Sequence, residues 1–484
     1  MYGVQCKKRL YLHKFGKRFG ISKDEVSAQQ EAIFSTGTNV GELAQQIFPN
    51  GVDCTPDSYY DFHPSIEKTS ELVSAKSPVI YEAAFQFDQV LVALDILVLK
   101  DDGWHAYEVK STNDTKETHI QDAALQYWVI NNSGLNLKSM NVMHFNREYI
   151  REGELNIHEL FTWDDITEQV IPLQPKIGNQ INENKACLKE PTVPEVEIGS
   201  HCSDPYPCDF IGNCWKHIPD YSVFSLTRAM SKGWELYDQG ILEIKDIPEG
   251  FQLSDSQQLQ VSAEKSGDTF IDVAGIQSFL EDLSYPLYYL DFETIMPAVP
   301  LFDKTRPYQM SIFQYSVHIQ EEKNGVVVHK EFLADPSDRN LRATLAEQLI
   351  ADMGKSGDVI VYNMAFEATR LKELVRDFPQ HTTALEGITN RMVDLAVPFQ
   401  QKLYYTPEMR GSYSIKKVLP ALIPELSYSD LEIQEGGTAS LTFLQMVNGQ
   451  FIGDVGDTRQ ALLEYCKLDT LAMVRILQKL YQTV

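Results

Sequence analysis

The chain has 484 residues, of which 43% are hydrophobic and 23% charged, and its formal net charge is -26 at pH 7. A chain of this length is too long to fold around one ordinary hydrophobic core, so about three domains are expected. The acidic balance argues against indiscriminate adhesion to nucleic acid, although the distribution of charge matters more than its sum. No apolar run reaches the roughly 18 residues of a membrane span, and the basic N-terminus lacks a following apolar segment, so we expect a cytoplasmic protein without a membrane partner.

A basic run occupies the N-terminus. From Lys7 to Arg18 the chain carries six Lys and Arg residues, no acidic residue and interleaved aromatics. Such a segment can follow a nucleic-acid backbone and stack on bases. Basic amphipathic termini are also common as solvated surfaces, so this run alone is weak evidence.

Residues 1–220 show the pattern of an α/β unit, in which one helix precedes three strands and a second helix and a strand follow. The second and third strands are joined through Asp101-Asp102-Gly103, which has the composition of a hairpin turn. In chain order the predicted elements are a helix at Gly37–Phe48, strands at Val79–Phe87, Val90–Leu99 and Trp104–Lys110, a helix at Ile120–Asn131 and a strand at Met140–Phe145.

Polar residues interrupt these strands at related positions. Asp95 stands in an otherwise apolar strand, where a lone acid is costly unless its charge is compensated. Glu108 and Lys110 flank one residue and therefore share a face of the next strand, while Glu82 lies on the strand before. Together they offer three carboxylates for a hard cation and one ammonium group that can orient a water or neutralise a phosphate.

This pattern resembles the PD-(D/E)XK nucleases, in particular their RecB-like branch. Asp95, Glu108 and Lys110 match the motif residue by residue, Glu82 matches the extra upstream acid, and Gln126 matches the glutamine of the following helix. The resemblance implies a phosphodiester hydrolase that uses Mg²⁺ or Mn²⁺ and acts on single-stranded DNA.

The chain departs from that family in two places. Ile130 stands where a tyrosine often follows the helix glutamine, although Tyr127 is adjacent to Gln126. Many relatives carry a metal-binding histidine four residues after a glycine on the first helix, but here Gly37 is followed by Gly41. The missing histidine puts the metal affinity of this centre in question.

Four of the seven cysteines form a separate pattern. Cys202, Cys208 and Cys214 recur at equal spacing in a segment rich in Pro, Asp and Gly, and Cys6 lies near the N-terminus. A framework of disulfides is not expected in an intracellular protein of this size. One cysteine before the nuclease core and three after it resembles the iron-sulfur members of the family, including the CRISPR-associated RecB-like nucleases and AddB. The resemblance implies that these four thiolates hold a 4Fe-4S cluster.

Tetrahedral zinc is the alternative cofactor for these cysteines, with His201 or His217 able to replace one of them. Zinc sites usually show tighter cysteine pairs than the five-residue gaps found here, which favours the cluster. The remaining cysteines, Cys54, Cys187 and Cys466, are interpreted as ordinary buried or partly buried thiols.

The middle of the chain, Tyr221 to about Leu283, has helical periodicity without a catalytic cluster. Lys232–Ile247 contains two apolar helical stretches separated by Gly240. A helix-hairpin unit of this kind can contact a nucleic-acid backbone, but a packing connector between domains is the favoured interpretation.

A pair of acids opens the C-terminal part. The stretch Leu287–Thr294 reads as a buried strand that delivers Asp291 and Glu293, which lie two apart and therefore point to the same side. Two carboxylates this close raise each other's pKa unless a cation lies between them. A divalent metal site is therefore predicted.

The later elements predict an RNase H-like fold, in which strands meander first and then alternate with helices. The final helix contains Tyr465 and Asp469, four residues apart and hence on the same face. The predicted elements are strands at Gln309–Ile319, Val326–Phe332 and Val359–Tyr362, a helix at Leu341–Met353 and a helix that opens at Asn363–Glu367.

These motifs resemble the DEDD exonuclease superfamily in its tyrosine subtype. Asp291 and Glu293 match D-x-E, the segment ending in Glu367 matches N-x-x-F-D, and Tyr465 and Asp469 match Y-x-x-x-D. The resemblance implies two-metal hydrolysis from the 3' end, with Tyr465 holding the attacking water in line.

The third exonuclease acid departs from that family. Most relatives have aspartate where this chain has Glu367, which keeps the charge but adds a methylene. Asp394 is a possible substitute, although a structural role is the favoured interpretation for it.

The sequence thus predicts an α/β protein with a PD-(D/E)XK restriction-endonuclease-like domain (1–220), a helical connector (221–283) and an RNase H-like DEDD exonuclease domain (284–484). Its expected function is metal-dependent cleavage of DNA, single-stranded or at ends, in repair, processing or defence. One alternative is an RNA-processing exonuclease, which shares all the chemistry. The other is a nucleic-acid-binding scaffold with one inactive site, motivated by Gly41 and Glu367.

Overall fold

Two β-sheets with flanking helices organise the chain into two units. A computed structural model describes residues 2–58 and 60–484. The first unit comprises the residues up to Lys216 together with Pro297–Gln309, and the second comprises His217–Met296 and Met310–Val484. The mixed α/β class is as predicted from the sequence.

The first unit is built on a six-stranded mixed sheet in which the strands follow one another in chain order. Its central hairpin turns at Asp101 and Asp102, at the place where the turn composition predicted it. The pairs β1/β2 and β4/β5 are parallel and the others antiparallel. The strands are β1 (Val52–Asp53), β2 (Val79–Phe87), β3 (Val90–Lys100), β4 (Gly103–Val109), β5 (Leu137–Phe145) and β6 (Phe161–Asp165).

Helices of the first unit pack on this sheet through two apolar core clusters. The first predicted helix begins earlier than expected, because Ser27 accepts a hydrogen bond from the backbone of Gln30 and so caps the helix at Ala28. The helices are α1 (Tyr2–Gln5), α2 (Lys7–Phe15), α3 (Ala28–Gln45), α4 (His63–Ser74), α5 (Glu117–Asn132), α6 (Ile157–Leu160), α7 (Thr167–Val170), α8 (Gln174–Cys187) and α9 (Ile211–Cys214).

The second unit is built on a five-stranded sheet with the order β10-β9-β8-β11-β12. The strand β8 is central; it is antiparallel to β9 and parallel to β11, which is parallel to β12. A separate antiparallel pair joins β7 and β13. The strands are β7 (Phe270–Ile271), β8 (Leu287–Ile295), β9 (Ser311–Gln320), β10 (Val327–Leu333), β11 (Asp358–Val361), β12 (Met392–Asp394) and β13 (Tyr404–Tyr405).

The longest helix of the second unit, α19, packs against β8 and β9. The predicted connector, 221–283, belongs to this unit, and within it the second helical stretch of Lys232–Ile247 is only a short 3-10 turn at Ile244–Asp246. The helices are α10 (Ser231–Asp238), α11 (Asp255–Ser266), α12 (Val273–Glu281), α13 (Leu341–Asp352), α14 (Met364–Asp377), α15 (Thr382–Thr389), α16 (Val397–Gln400), α17 (Ile415–Leu422), α18 (Gly436–Val447) and α19 (Val455–Thr483).

The segment Pro297–Gln309, which follows β8, lies in the first unit rather than in the predicted 284–484 domain. Its backbone pairs with Arg151: the Lys304 N–H donates to the Arg151 carbonyl at 2.8 Å, and the Arg151 N–H donates to the Thr305 carbonyl at 3.0 Å. The Tyr308 hydroxyl donates to the Ser111 carbonyl. The chain therefore passes between the units three times.

Candidate active sites and cysteine cavity

The C-terminal acidic centre is formed by the four carboxylates Asp291, Glu293, Glu367 and Asp469. The apolar run that opens β8 forms the centre of the sheet, where it pairs with β9 and, at residues 287–289, with β11. The first two acids lie just beyond this parallel pairing. One ligand atom each from Asp291, Glu293 and Cys466 lies within 4.8 Å of the others. The predicted pair on β8 is thus close enough to share a cation.

Charge repulsion in this centre is strong. Burial raises the pKa of Asp291 well above its ordinary value, and the nearby carboxylates of Asp469, Glu293 and Glu367 raise it further. Burial and Asp469 likewise raise the pKa of Glu293 to about 8, while burial raises that of Asp469 to about 6. These acids resist ionising together without a compensating cation.

Glu367 occupies the first turn of α14 and is almost completely buried. Burial raises its pKa to about 8, and its Oε2 atom has no hydrogen-bond partner among the residues that the structure describes. A buried carboxylate oxygen without a partner is costly, so this atom is available as a ligand.

Asp394, the alternative third acid, caps the same helix. Its side chain accepts hydrogen bonds from the backbone N–H groups of Asn363 and Met364, both at 3.0 Å, and of Ala396 at 2.9 Å. The cap holds the start of α14, where Asn363 adopts a left-handed backbone with φ of 74°. Asp394 thus has a structural position, and the geometry favours Glu367 as the third carboxylate.

Tyr465 and Asp469 lie one turn apart on α19, as predicted, and the Tyr465 hydroxyl lowers the pKa of the Asp469 carboxylate. The motifs gave no indication of Tyr428, whose hydroxyl donates to Asp469 Oδ1 at 2.6 Å. Burial, Asp469 and Glu293 raise the pKa of Tyr465 above its ordinary value. Both phenols therefore remain protonated at neutral pH.

Lys416 is a second residue that the motifs did not indicate. Its Nζ atom lies 5.4 Å from the ring centre of Tyr428 and 5.3 Å from that of Tyr465. The positive charge lowers the pKa of both Glu293 and Asp469. Lys416 comes from α17, far from the other site residues in the chain, so local patterns could not have identified it.

Cys466 was interpreted as an ordinary buried thiol, and it is buried. It also contacts the centre, since its Sγ atom lies 3.8 Å from Asp291 Oδ2. Burial and the Asp291 carboxylate raise its pKa well above the ordinary value of a thiol, so it is protonated at neutral pH.

The N-terminal acidic centre is formed by Glu82, Asp95 and Glu108 on three neighbouring strands. The register pairs Tyr81 with Ile96 and Ala83 with Leu94, which sets Glu82 opposite Asp95. Asp95 Oδ2 accepts a hydrogen bond from the Val109 N–H at 2.6 Å and is thereby held beside β4.

These acids also disfavour one another's charge. Burial raises the pKa of Glu82 to about 7, with Glu108 adding to the effect. Burial, Glu108 and Glu82 raise the pKa of Asp95 well above its ordinary value. Glu82 adopts a left-handed backbone with φ of 51° in mid-strand, a conformation that is strained for a residue other than glycine.

Lys110 and Gln126 both hold Glu108. Lys110 Nζ lies 2.7 Å from Glu108 Oε1 and 2.8 Å from Asp122 Oδ2, while Gln126 Nε2 donates to Glu108 Oε2 at 2.8 Å. Burial alone would lower the pKa of Lys110, but the carboxylates of Glu108 and Asp122 raise it above its ordinary value. Asp122 was not predicted, although it precedes Gln126 by one turn of α5 and shares its face.

The structure shows the surroundings of Ile130 and Gly41, the two positions where the chain departs from the PD-(D/E)XK motif. Ile130 is fully buried in the core, and Tyr127 is partly buried against the same core rather than beside Gln126 on the acidic face. A Cβ added to Gly41 would meet no atom of the described residues within 4 Å, so space is open at the position where the PD-(D/E)XK motif often has a histidine.

The cysteine cavity is lined by all four predicted cysteines, Cys6, Cys202, Cys208 and Cys214. All seven cysteines of the chain are free thiols, as expected without a disulfide framework. Among residues 2–58 and 60–484, no three of these four sulfur atoms lie within 4.8 Å of one another. Around one tetrahedral zinc, thiolate sulfurs lie about 3.8 Å apart, as follows from a Zn–S distance of about 2.3 Å.

Basic and histidine side chains lie beside the cysteines of this cavity. Burial raises the pKa of Cys208, which the guanidinium of Arg9 partly offsets. Arg9 also pairs with Asp209, so part of the basic run is used in the fold. His201 lies beside Cys202, with 3.8 Å between its Nε2 and the sulfur, whereas His217 contacts the Tyr237 hydroxyl at 3.2 Å.

The fold and these positions define a mixed α/β protein with an acidic centre on each of two sheets. The family model described as a domain of unknown function (DUF2779) matches residues 288–414. That segment includes Asp291, Glu293 and Glu367 but neither Tyr465 nor Asp469. Among the described residues, no helix has both the length and the apolar character needed to cross a membrane.

Three curated proteins are similar to part of the chain. The uncharacterized protein MG366 homolog of Mycoplasma pneumoniae is 28% identical over 218 residues, 41% of this chain and 33% of that protein. Uncharacterized protein UU173 of Ureaplasma parvum is 29% identical over 211 residues, 39% of this chain and 30% of that protein. Uncharacterized protein MG366 of Mycoplasma genitalium is 24% identical over 210 residues, 39% of this chain and 31% of that protein. The match thus spans about a third of each relative, and no solved structure matches the chain.

Proposed function

We propose that this protein is a metal-dependent nuclease with two centres, a 3'-to-5' exonuclease in the second unit and a RecB-like nuclease in the first. The observation that carries the proposal is the close approach of Asp291 and Glu293 on β8, with Asp469 and Glu367 near enough to raise the pKa of Asp291 further. Burial and the carboxylates of Asp469, Glu293 and Asp291 raise the pKa of Tyr465. The order of the second sheet, three antiparallel strands followed by parallel ones, supports an RNase H-like arrangement.

The residues of the C-terminal acidic centre fit Mg²⁺ or Mn²⁺. All four side chains offer carboxylate oxygens, which hard divalent cations prefer as ligands. The Oε2 atom of Glu367, which has no hydrogen-bond partner among the described residues, is free to bind such a cation. When bound, the ions supply Lewis acidity at the phosphodiester and lower the pKa of a coordinated water.

The chain's own residues then position the reaction. Because Tyr465 remains protonated, it orients the attacking water by hydrogen bonding and does not act as a base. Tyr428 fixes the Asp469 carboxylate through its 2.6 Å hydrogen bond. Lys416 places an ammonium group over these phenol rings and offsets negative charge on the substrate.

In the N-terminal acidic centre, Glu82, Asp95 and Glu108 are the residues that would hold one hard cation. Among the described residues their ligand atoms do not all lie within 4.8 Å of one another, so binding would draw the three carboxylates together. The raised pKa values of Glu82 and Asp95 support such binding, as does the fixing of Glu108 by Gln126. Lys110 stays charged and is therefore suited to neutralise a phosphate or orient a water, but not to accept a proton. The proposed substrate is DNA, single-stranded or at its ends.

The cysteine cavity is proposed to hold a 4Fe-4S cluster. Four thiols from both ends of the first unit line one space, and their sulfurs are spread more widely than around a single zinc. When bound, the cluster would tie Cys6 to the segment 202–214 and so close the unit.

Cleavage of end-labelled oligonucleotides tests the proposal. In Mg²⁺ or Mn²⁺, the wild-type protein is expected to degrade single-stranded DNA, Asp291→Ala to lose stepwise 3' shortening, and Lys110→Ala to lose the other activity. Glu386→Ala, at an exposed position on α15, is the control for the second unit. Absence of cleavage of DNA and RNA with every metal would refute the proposal, and preference for RNA in competition would favour the RNA-processing alternative.

A further inference from the structure

We propose that a groove in the second unit binds single-stranded nucleic acid by its phosphates and bases and leads its end to the C-terminal acidic centre, an inference that rests on the proposed exonuclease function. The groove encloses about 1330 Å³. It is lined by four segments of the second unit, 224–232, 254–257, 362–363 and 410–415, together with Gln400.

The charge of the groove contrasts with that of the chain. Its lining contains three cations, Arg228, Lys232 and Arg410, and one acid, Asp255, whereas the whole chain has a net charge of -26. Arg228 and Arg410 are both exposed. A local excess of positive charge on an acidic protein concentrates polyanions at that place while the remaining surface repels them.

Hydroxyl groups supply the other donors that phosphates use. Seven serines and threonines line the groove. Within the part of the chain that the structure describes, the Ser414 hydroxyl at the start of α17 accepts no capping hydrogen bond, so the backbone N–H groups of that helix end do not donate to it. Arginine, lysine, hydroxyl groups and helix N-termini are the groups that contact nucleic-acid phosphates. The lining residues are Phe224, Ser225, Leu226, Thr227, Arg228, Ala229, Met230, Ser231, Lys232, Ser254, Asp255, Ser256, Gln257, Tyr362, Asn363, Gln400, Arg410, Gly411, Ser412, Tyr413, Ser414 and Ile415.

One apolar and one aromatic side chain of the groove lining are exposed. Met230 is 82% exposed and Tyr413 is 41% exposed. Arg228, Met230 and Arg410 have backbones with positive φ of 52°, 44° and 51°, a conformation that is uncommon for residues other than glycine. Proteins hold the unpaired bases of single strands by stacking them on exposed aromatic side chains beside cations. In a duplex the bases are paired and stacked on one another, so they are not accessible to such side chains.

Two segments that line the groove continue directly along the chain into residues of the acidic centre. Asn363 lines it and immediately precedes α14, whose first turn carries Glu367. Ile415 lines it and immediately precedes Lys416, which contacts the ring faces of Tyr428 and Tyr465. The Tyr362 hydroxyl donates to the Tyr413 carbonyl at 2.6 Å and joins the two borders. A strand held in the groove is thus directed to the carboxylates.

Binding measured without catalysis tests this inference. Fluorescence anisotropy of labelled single-stranded DNA, single-stranded RNA and duplex DNA would be followed in EDTA at several salt concentrations, with the full chain. The double variant Arg228→Gln/Arg410→Gln removes two cations while keeping side-chain length. Arg339→Gln is the matched control, since Arg339 is an exposed arginine of the same unit outside the groove.

The double variant is expected to bind single strands about tenfold more weakly and to lower the salt slope by about 1.4, because each phosphate contact on a single strand contributes about 0.7. Arg339→Gln should bind like the wild type. An unchanged salt slope, or equal losses for duplex and single strands, would overturn the inference. Since EDTA removes catalysis, failure of cleavage alone would count against the proposed function and leave this result intact.

Discussion

Replacing Glu367 with glutamine is expected to stabilise the metal-free protein at neutral pH and to abolish the proposed 3' exonuclease activity. Glu367 is 2% exposed, and burial raises its pKa from 4.5 to about 8. Its stabilising contribution is complete below the unfolded-state pKa, near 4.5, and is lost as the pH rises through the folded-state value of about 8. By pH 7 the loss is about 3 kcal/mol.

Glutamine has nearly the same shape and no charge, so it avoids this loss. An unpaired buried amide offsets about 1 kcal/mol of the gain, which leaves about 2 kcal/mol. For a unit of this size that corresponds to an increase in Tm of about 4–8 °C. At about pH 4 both side chains are neutral, and the variant is expected to melt no higher than the wild type.

Calorimetry in EDTA at about pH 4, 6 and 8 measures this dependence. Glu386→Gln, at an exposed position of the same unit, should not change the Tm at any pH. Saturating Mn²⁺ should raise the Tm of the wild type more than that of Glu367→Gln, because only ligands that bind the native state stabilise it. The reasoning is refuted by a Tm difference that is independent of pH, or by an equal effect of metal on both proteins.

Two further predictions concern the other site residues. Tyr428→Phe removes the hydrogen bond that lowers the pKa of Asp469, so that pKa should rise from about 6 and the acidic limb of the kcat profile should move upward by about one pH unit; an unmoved limb would contradict this role. Cys214→Ser should abolish cluster absorbance near about 400 nm in anaerobically purified protein, whereas Cys187→Ser, a partly buried thiol outside the set of four, should leave it unchanged; equal absorbance in both variants would exclude Cys214 as a ligand.

Strands bounded by clear turns were predictable to within a residue or two. β2 spans Val79–Phe87 as predicted, because apolar residues predominate in it and polar turns flank it. The start of α3 was missed because the cap formed by Ser27 and Gln30 lies ahead of the apolar periodicity that signals the helix.

The site was predictable where its residues share one element or a known motif. Asp291 and Glu293 are two apart on one strand, and Tyr465 and Asp469 are one turn apart on one helix. Lys416 and Tyr428 come from separate segments and meet the centre only in the folded chain. Their types and spacing carry no periodic signal, so only tertiary packing reveals them.

The repeated passage of the chain between the units has a consequence for taking the protein apart. A fragment beginning at His217 would carry Pro297–Gln309, a segment whose hydrogen-bond partners at Arg151 and Ser111 belong to the other unit. A single proteolytic nick at Lys216 would therefore leave the products associated through that inserted segment. Separating the two proposed activities thus requires point substitutions or replacement of the insert by a short linker, rather than truncation at one boundary.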